Sequence, residues 1–418
     1  FQDFNPVPMA APVTKYAQIV DVPQRVGQIV HEAFTAATTG RPGPVHLSLP
    51  IDVASAEVDP KGVPRSPVQL GEVRHRGPGD AALIEEAARL IRSAERPVLV
   101  AGSGVYYSHG EGALAHFAAA RRMPVVTPIW DRGSVPRPID QFMGVIGAAS
   151  GGARLLPDAD LVIMAGAEFD YRVGQLAPPV MAADARVIRI HADETCLRQG
   201  LESGLCIHAA PGVVLGQLDE ACRTLDCPPT DDWCAEAARR RDAFRKECLE
   251  SADRLPAGTN GRDVTLAVGE VLTDETVLLV DGGNIGQWFH QLLLDRLPGH
   301  WLTCGASGVV GWGLPGALAA RALYPDRPVI LLSGDGSFTF TVAELECAAR
   351  QGLPFVAVVA DDRRWGISAS GHTKNYGGPL YSTLGPTRLD QVAEGFGCRG
   401  VRVDEKNGIA PAIRDALN

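Results

Sequence analysis

Short apolar runs recur along the chain, each closed by Gly or Pro and followed by an amphipathic stretch. They fall at residues 45–49, 97–101, 124–127, 161–165, 187–190, 277–280, 329–332 and 355–360. Most are continuous rather than alternating with polar residues, which predicts strands buried on both faces, as in a parallel sheet. Between them, apolar positions take helical spacing. Leu83, Ala87, Leu90 and Ile91 share one face of residues 80–92, and Val342, Leu345, Ala348 and Ala349 share another. Strands alternating with helices give an α/β fold built from three-layer, parallel-sheet domains.

The same pattern divides the chain. Residues 1–58 show one helix (Val22, Val26, Ile29, Val30, Phe34) and one strand, the remnant of a domain rather than a whole one. Polar, Pro-rich residues 59–79 read as a linker, and 80–225 as a central Rossmann-like domain. A Pro-flanked break and a charged helix follow at 226–260, expected to cross the surface as a connector. Residues 261–418 form a last domain. The chain lacks an initial Met and ends inside a helical pattern, so it is expected to be a fragment, inactive alone.

Composition narrows the choices. At 418 residues the chain exceeds one ordinary core. Its 45% hydrophobic and 21% charged content is that of a soluble globular protein, expected in the cytoplasm. A net charge of −10 speaks against a nucleic-acid partner. No run approaches the roughly 20 apolar residues of a membrane helix, so no membrane partner is expected. The nine cysteines form no C-x-x-C pair and are odd in number, which favours reduced thiols over a disulfide framework or a structural zinc site.

The sharpest chemical signal lies near the C-terminus. The run 329–332 leads directly into Ser333-Gly334-Asp335-Gly336-Ser337, with a helix expected from about Thr341. Strand, Gly-Asp-Gly and helix place a carboxylate at the carboxyl end of a parallel strand, where open α/β sheets bind ligands. The glycines let backbone N–H groups approach phosphate oxygens. A single Asp is a poor Mg²⁺ site, but Asp plus ligand phosphates is a good one. After 24 further residues, 337–360, comes Asp361-Asp362-Arg363-Arg364-Trp365-Gly366-Ile367. That spacing fits one helix and one strand returning to the same sheet edge. A plain turn at Gly-Asp-Gly is the competing reading of that motif alone.

Gly334-Asp335-Gly336, the spacer and the polar pair resemble the diphosphate–Mg²⁺ signature of thiamine-diphosphate enzymes. Gly308-Val309-Val310-Gly311-Trp312-Gly313-Leu314-Pro315 and Tyr324-Pro325-Asp326-Arg327 are similar to the segment preceding that signature in the acetolactate synthase-like branch. Upstream, Pro12-Val13-Thr14-Lys15 and residues 40–45, closing at Pro50-Ile51-Asp52-Val53, resemble the tail of its pyrimidine-binding domain. Ala101-Gly102-Ser103-Gly104-Val105 and Phe169-Asp170-Tyr171-Arg172 resemble its central domain.

The resemblance implies thiamine diphosphate and Mg²⁺ as cofactors. It implies metal ligation by Asp335, Asp361 and the Arg363 carbonyl. Gly334, Gly336, Ser337 and Asn284 would meet the diphosphate, with Gly366 and Ile367 beside the cofactor. The Gly308 carbonyl would accept from the aminopyrimidine, and Val310 would wedge between the two rings. It also implies a 2-oxo acid substrate, decarboxylation with carboligation, and a homodimer or homotetramer. Simple decarboxylation, aldehyde lyase chemistry and a non-catalytic homologue are the alternatives. The family's activating Glu would precede Phe1, so the catalytic residue is unassigned here; Glu32 reads as a solvated face residue.

The sequence also departs from the family's pattern. Asp361 stands where Asn is usual, an extra charge expected to favour the cation and to weaken the diphosphate unless Arg363 or Arg364 offsets it. Val310 is smaller than the usual wedge. Gly102-Ser103-Gly104 follows a strand, but the third glycine of a dinucleotide fingerprint would fall at Tyr107, which speaks against a nicotinamide dehydrogenase. Asp170 and Arg172 fit part of the pattern of the flavin-dependent synthases. Glu168 replaces their Arg and residues 144–147 lack their His, so FAD is the weaker reading.

Overall fold

Twelve strands, all paired in parallel, are distributed over three sheets in the computed structural model, which describes residues 4–59, 61–62, 77–147, 152–199, 204–253, 255, 258–293, 300–305 and 307–418. The first sheet pairs β1 (Tyr16–Ile19) with β2 (Val45–Ser48). The second contains β3 (Pro97–Ala101), β4 (Val125–Pro128), β5 (Phe142–Ile146), β6 (Leu161–Ala165), β7 (Arg186–His191) and β8 (Leu205–His208), in the order β5-β4-β3-β6-β7-β8. The third holds β9 (Val277–Asp281), β10 (His300–Thr303), β11 (Val329–Gly334) and β12 (Val356–Ala360), in the order β10-β9-β11-β12.

The continuous apolar runs have a direct explanation. Strand side chains alternate between faces, and here each face meets its own helical layer. In β3, Leu99 and Ala101 enter one core while Val98 and Val100 enter the other. In β11, Ile330 and Leu332 point to one side and Val329 and Leu331 to the opposite side. Each such fully buried aliphatic side chain contributes about 1.5–3 kcal/mol.

Four strands escape the hydrophobic pattern: β1, β5, β8 and β10. β1 is short and only half-buried, and residues 1–58 therefore hold two strands rather than one. β5 contains Gly144 at φ +112°, where its register with β4 shifts, and a bulge with glycine breaks the apolar run. β8 and β10 are sheet edges and carry His and Cys or Trp among their residues.

The helix expected at 80–92 spans Ala81–Arg92, and the Asp80 carboxylate caps it by accepting from the Ala82 and Leu83 N–H groups. Residues 226–260 are a correction. Their helix, Asp231–Ala252, is no simple surface connector, because Trp233, Cys234 and Ala237 are built into the central core. The Trp233 indole donates to the Pro97 carbonyl at 3.0 Å. Its many charges hid that short apolar stripe. Much of the expected linker at 59–79 lies outside the described residues.

The glycines after β3 serve close packing. A Cβ on Gly102 would lie 2.2 Å from the Ala167 Cα, and one on Gly104 2.7 Å from the Gly166 Cα. Both clashes are with backbone, which cannot yield as a side chain can. Gly102→Ala is expected to cost about 3 kcal/mol, read as a lowered urea midpoint. An unchanged midpoint would show that this loop is free to move.

Candidate functional site

The order β10-β9-β11-β12 reverses the winding between β9 and β11, and such a switch point, at the carboxyl ends of the strands, is where open α/β sheets form a ligand crevice. Gly334 at the end of β11 is in register with Ala360 at the end of β12. The residues that follow, Asp335 and Asp361, are thereby delivered side by side. They come within hydrogen-bonding reach of each other. Burial, together with the negative charges of Asp362 and Asp361, pushes the Asp335 carboxyl up to about 6, although the Gly336 N–H donates to it at 2.8 Å.

The loops around this pair are closely fitted. Gly282 sits at φ +110°, and a Cβ there would lie 2.8 Å from the Gly334 nitrogen. Asp361 accepts from the Arg363 N–H at 3.2 Å, and Asp362 from the Arg364 N–H at 3.1 Å. Arg363 takes a left-handed φ of +55°. Its carbonyl accepts from the Leu384 N–H at 2.7 Å, which leaves one lone pair for a cation. Asn284 lies in the first turn of helix Gly283–Leu292 rather than in a loop, and its amide donates to Asp362 at 3.4 Å. Gly366 packs on Asn284 and Ile367 on Gly283.

The helix after Gly-Asp-Gly starts earlier than the sequence suggested. It spans Asp335–Phe340, and a second helix follows at Glu344–Gln351. Ser337 is buried, and its hydroxyl bonds to Asp281. Only its backbone N–H, at the helix start, therefore remains for a ligand. The Trp365 ring covers Gly336, where a Cβ would meet it at 2.8 Å, and stands edge-on to Phe340 with centroids 5.6 Å apart.

Asp281 is the residue that sequence reasoning missed. Buried at the tip of β9, it accepts from the Gly313 N–H at 2.8 Å and the Gly311 N–H at 3.3 Å. Burial pushes its carboxyl up against those bonds. It ties the segment carrying Gly308 and half-buried Val310 to the same crevice. Its signal was an Asp ending an apolar run directly before Gly282-Gly283, the same arrangement as Asp335. Glu32 is half-buried rather than solvated and accepts from Gln28 at 2.8 Å and Tyr16 at 3.3 Å. His372 lines a cavity of about 480 Å³ with Trp365, Ser368, Tyr376 and Ser382. Its Nδ1 donates to the Leu380 carbonyl at 2.8 Å.

The residues present fit a divalent cation. Two adjacent carboxylates and a carbonyl are hard oxygen donors, and the like charges at Asp335, Asp361 and Asp362 are what a cation would relieve. The glycine-lined tips of β9 and β11 and the helix start at Gly283 offer backbone N–H groups to phosphate oxygens.

The corresponding end of the central sheet is different. Arg172 is fully buried and pairs with Asp131 at 3.1 Å and Asp170 at 2.8 Å, and Ser103 donates to Asp131 at 2.6 Å. Glu168 pairs with Arg41 at 3.4 Å. Although burial opposes it, the His191 bond and the Arg41 charge hold Glu168 down at about 2. A dinucleotide pyrophosphate at these strand ends would meet carboxylates whose cations are already engaged. Glu168, His191 and Cys196 place ligand atoms within 4.8 Å of one another. However, the Asp193 N–H donates to His191 Nδ1 at 3.0 Å. The ring proton then sits on Nε2, which faces Glu168 and has no lone pair for a metal.

Comparison with known proteins points the same way. Residues 281–418 match the family described as "Thiamine pyrophosphate enzyme, C-terminal TPP binding domain", and residues 84–218 match the central domain of such enzymes. The acetolactate synthase large subunit of Corynebacterium glutamicum is 30% identical over 427 aligned positions, covering 100% of this chain and 67% of that protein. A probable acetolactate synthase large subunit from Methanocaldococcus jannaschii is 26% identical, covering 100% of this chain and 72% of its own length. The glyoxylate carboligase of Escherichia coli O157:H7 is 28% identical with the same coverage.

Removing Arg172 would strand Asp131 in the core. Arg172→Met is expected to cost about 3–5 kcal/mol at pH 8. Without its partner, the Asp131 carboxyl rises further above its unfolded value, so the penalty holds above that raised value and fades as pH falls. Urea unfolding at pH 8 and pH 5 checks this; an equal loss at both would contradict it.

Proposed function

The chain belongs to the thiamine pyrophosphate enzymes, with acetolactate synthase large subunits among its relatives, and on that premise we propose that it decarboxylates a 2-oxo acid and joins the remaining acyl unit to a second carbonyl compound. One observation carries the reading: the β11–β12 register sets Asp335 beside Asp361 in the crevice between strand tips. Asp335, Asp361 and the Arg363 carbonyl would hold Mg²⁺. Gly334, Gly336, the Ser337 N–H and Asn284 would hold the diphosphate. Bound there, thiamine diphosphate supplies the ring that takes up the electron pair left when carbon dioxide departs. The Trp365 ring covers Gly336, and Asp281 keeps the Gly308–Val310 segment in place.

Carboligation is favoured over simple decarboxylation because relatives named acetolactate synthase and glyoxylate carboligase align along the whole chain. The cavity that shares Trp365 with the cofactor loop offers room for a second carbonyl compound. Assembly as a homodimer or homotetramer and a cytoplasmic location belong to the same proposal. Large apolar side chains exposed on the first segment, Met9, Phe34, Leu49 and Ile51 among them, support association. No helix among the described residues is long and apolar enough to cross a membrane.

The test is product analysis of the full-length protein with thiamine diphosphate, Mg²⁺ and a panel of 2-oxo acids. A hydroxy-keto product from two carbonyl units is expected. Free aldehyde alone would shift the reading to a decarboxylase, and no turnover to a non-catalytic homologue.

Proton competition gives a second check. A cation needs Asp335 ionised, and that carboxyl sits at about 6. Mg²⁺ affinity is therefore expected to fall about tenfold per pH unit below 6 and to level off above it. Titration calorimetry at pH 5, 6 and 7.5 reads the effect, and a flat profile would argue against Asp335 as a ligand.

A further inference from the structure

We infer that Trp130 is a positioning residue that braces the Gly308 turn from the central sheet and so sets the pyrimidine side of the cofactor site. The inference rests on the cofactor reading above. The turn itself is thin. Gly305 and Gly308 both take left-handed backbone, at φ +68° and +63°, and the Gly308 N–H closes it onto the Gly305 carbonyl at 3.1 Å. Val309, next to it, is 54% exposed. Asp281 anchors the segment only beyond the turn, at Gly311 and Gly313, and the turn itself takes its support from another element.

Trp130 provides that support. A Cβ on Gly308 would have as its three nearest atoms the outer edge of the Trp130 ring, the closest at 3.3 Å. The ring is half-buried against the central core, so one side is anchored and the other meets the turn. Tyr171, from the same end of the central sheet, comes within electrostatic reach of Cys304 in that turn. Helix Gly283–Leu292, which carries Asn284, packs against β5.

The backbone at Trp130 argues that this placement is imposed. Trp130 sits at φ +71°, a conformation that bulky side chains rarely adopt and that persists only where the surroundings enforce it. The enforcing groups flank it on both sides. Arg172 donates to the Ile129 carbonyl at 3.2 Å and pairs with Asp131 at 3.1 Å. Asp131 also accepts from Ser103 at 2.6 Å, and its N–H donates to the Pro128 carbonyl at 2.9 Å. The buried cluster thus holds a strained residue with its ring against the turn. Thiamine diphosphate is the ligand whose aminopyrimidine the Gly308 carbonyl would meet.

Trp130→Gly removes the ring; it relieves the left-handed backbone but gives up the packing of a half-buried indole. In the full-length protein its thermal midpoint without cofactor is therefore expected to fall, and its affinity is read at a temperature where it is folded. Its affinity for thiamine diphosphate at saturating Mg²⁺, measured by calorimetry, is expected to fall about tenfold. Trp130→Phe keeps a ring and should recover most of that loss. It carries the test alone if the glycine variant does not fold, with an affinity about threefold weaker than that of the unaltered protein. Unchanged affinity in the variants, or an affinity of Trp130→Phe no better than that of Trp130→Gly, would overturn the brace. Failure of the unaltered protein to bind thiamine diphosphate would instead overturn the cofactor reading, and the brace with it.

Discussion

Two carboxylates held against each other at adjacent strand tips are the constraint around which the C-terminal unit is arranged. Parallel pairing of β11 with β12 leaves Asp335 and Asp361 level once Gly334 and Ala360 are aligned. A one-residue slip would turn every side chain of β12 to the opposite face and move its apolar set off its helical layers. The same hydrophobic alternation that builds the core therefore fixes the spacing of the charges. Proximity then has an electrostatic consequence: with Asp362 also nearby, burial and repulsion raise the Asp335 carboxyl. Of the three carboxylates only Asp335 is buried, so the cost of the arrangement falls on that one group.

The remaining features of the crevice keep that pair accessible while keeping its surroundings rigid. Gly282 lets two strand tips approach, since a Cβ there would lie 2.8 Å from the Gly334 nitrogen. Asp281 uses its carboxylate on backbone N–H groups and the Ser337 hydroxyl, whereas Asp335 accepts from the Gly336 N–H and meets Asp361. Two aspartates at neighbouring strand ends thus differ in what their carboxylates face. The placement of Trp365 over Gly336 adds an apolar wall. Arg363 and Arg364 are exposed, and their backbone N–H groups go to the loop carboxylates.

Much of this was legible in the chain. Continuous runs such as 97–101 and 329–332 announced strands buried on both faces, because periodicity reports burial directly. Gly334-Asp335-Gly336 and the 24-residue return to Asp361 announced the carboxylate pair, because chain length between parallel strands is tightly bounded. What stayed hidden depends on partners distant in sequence. β8 and β10 lie at sheet edges and carry no strong pattern. Trp233 looked like one residue in a charged helix, and only the fold shows it donating to Pro97. The Asp281 contacts with Gly311 and Gly313 span about thirty residues, and no local pattern encodes them. The left-handed backbone at Trp130 has no sequence signal at all, since nothing about Trp favours it.

The central unit raises the question of why a protein would bury Arg172 with two aspartates. A buried ion pair gains little net stability, because desolvation consumes most of the attraction. Its use is directional. The planar guanidinium reaches Asp170, Asp131 and the Ile129 carbonyl at once, fixing three loop positions relative to one another. An apolar replacement could fill the volume but could not specify where residues 129–131 turn. At the same strand ends, Gly102 and Gly104 close onto Gly166 and Ala167, and Glu168 keeps its charge. These features commit the charges at the strand ends to partners within the protein. They form a stiff edge from which the Trp130 ring meets the turn that holds Gly308. On this view, the central sheet keeps the architecture of a nucleotide-binding domain while its strand ends act as mechanical support for the neighbouring site.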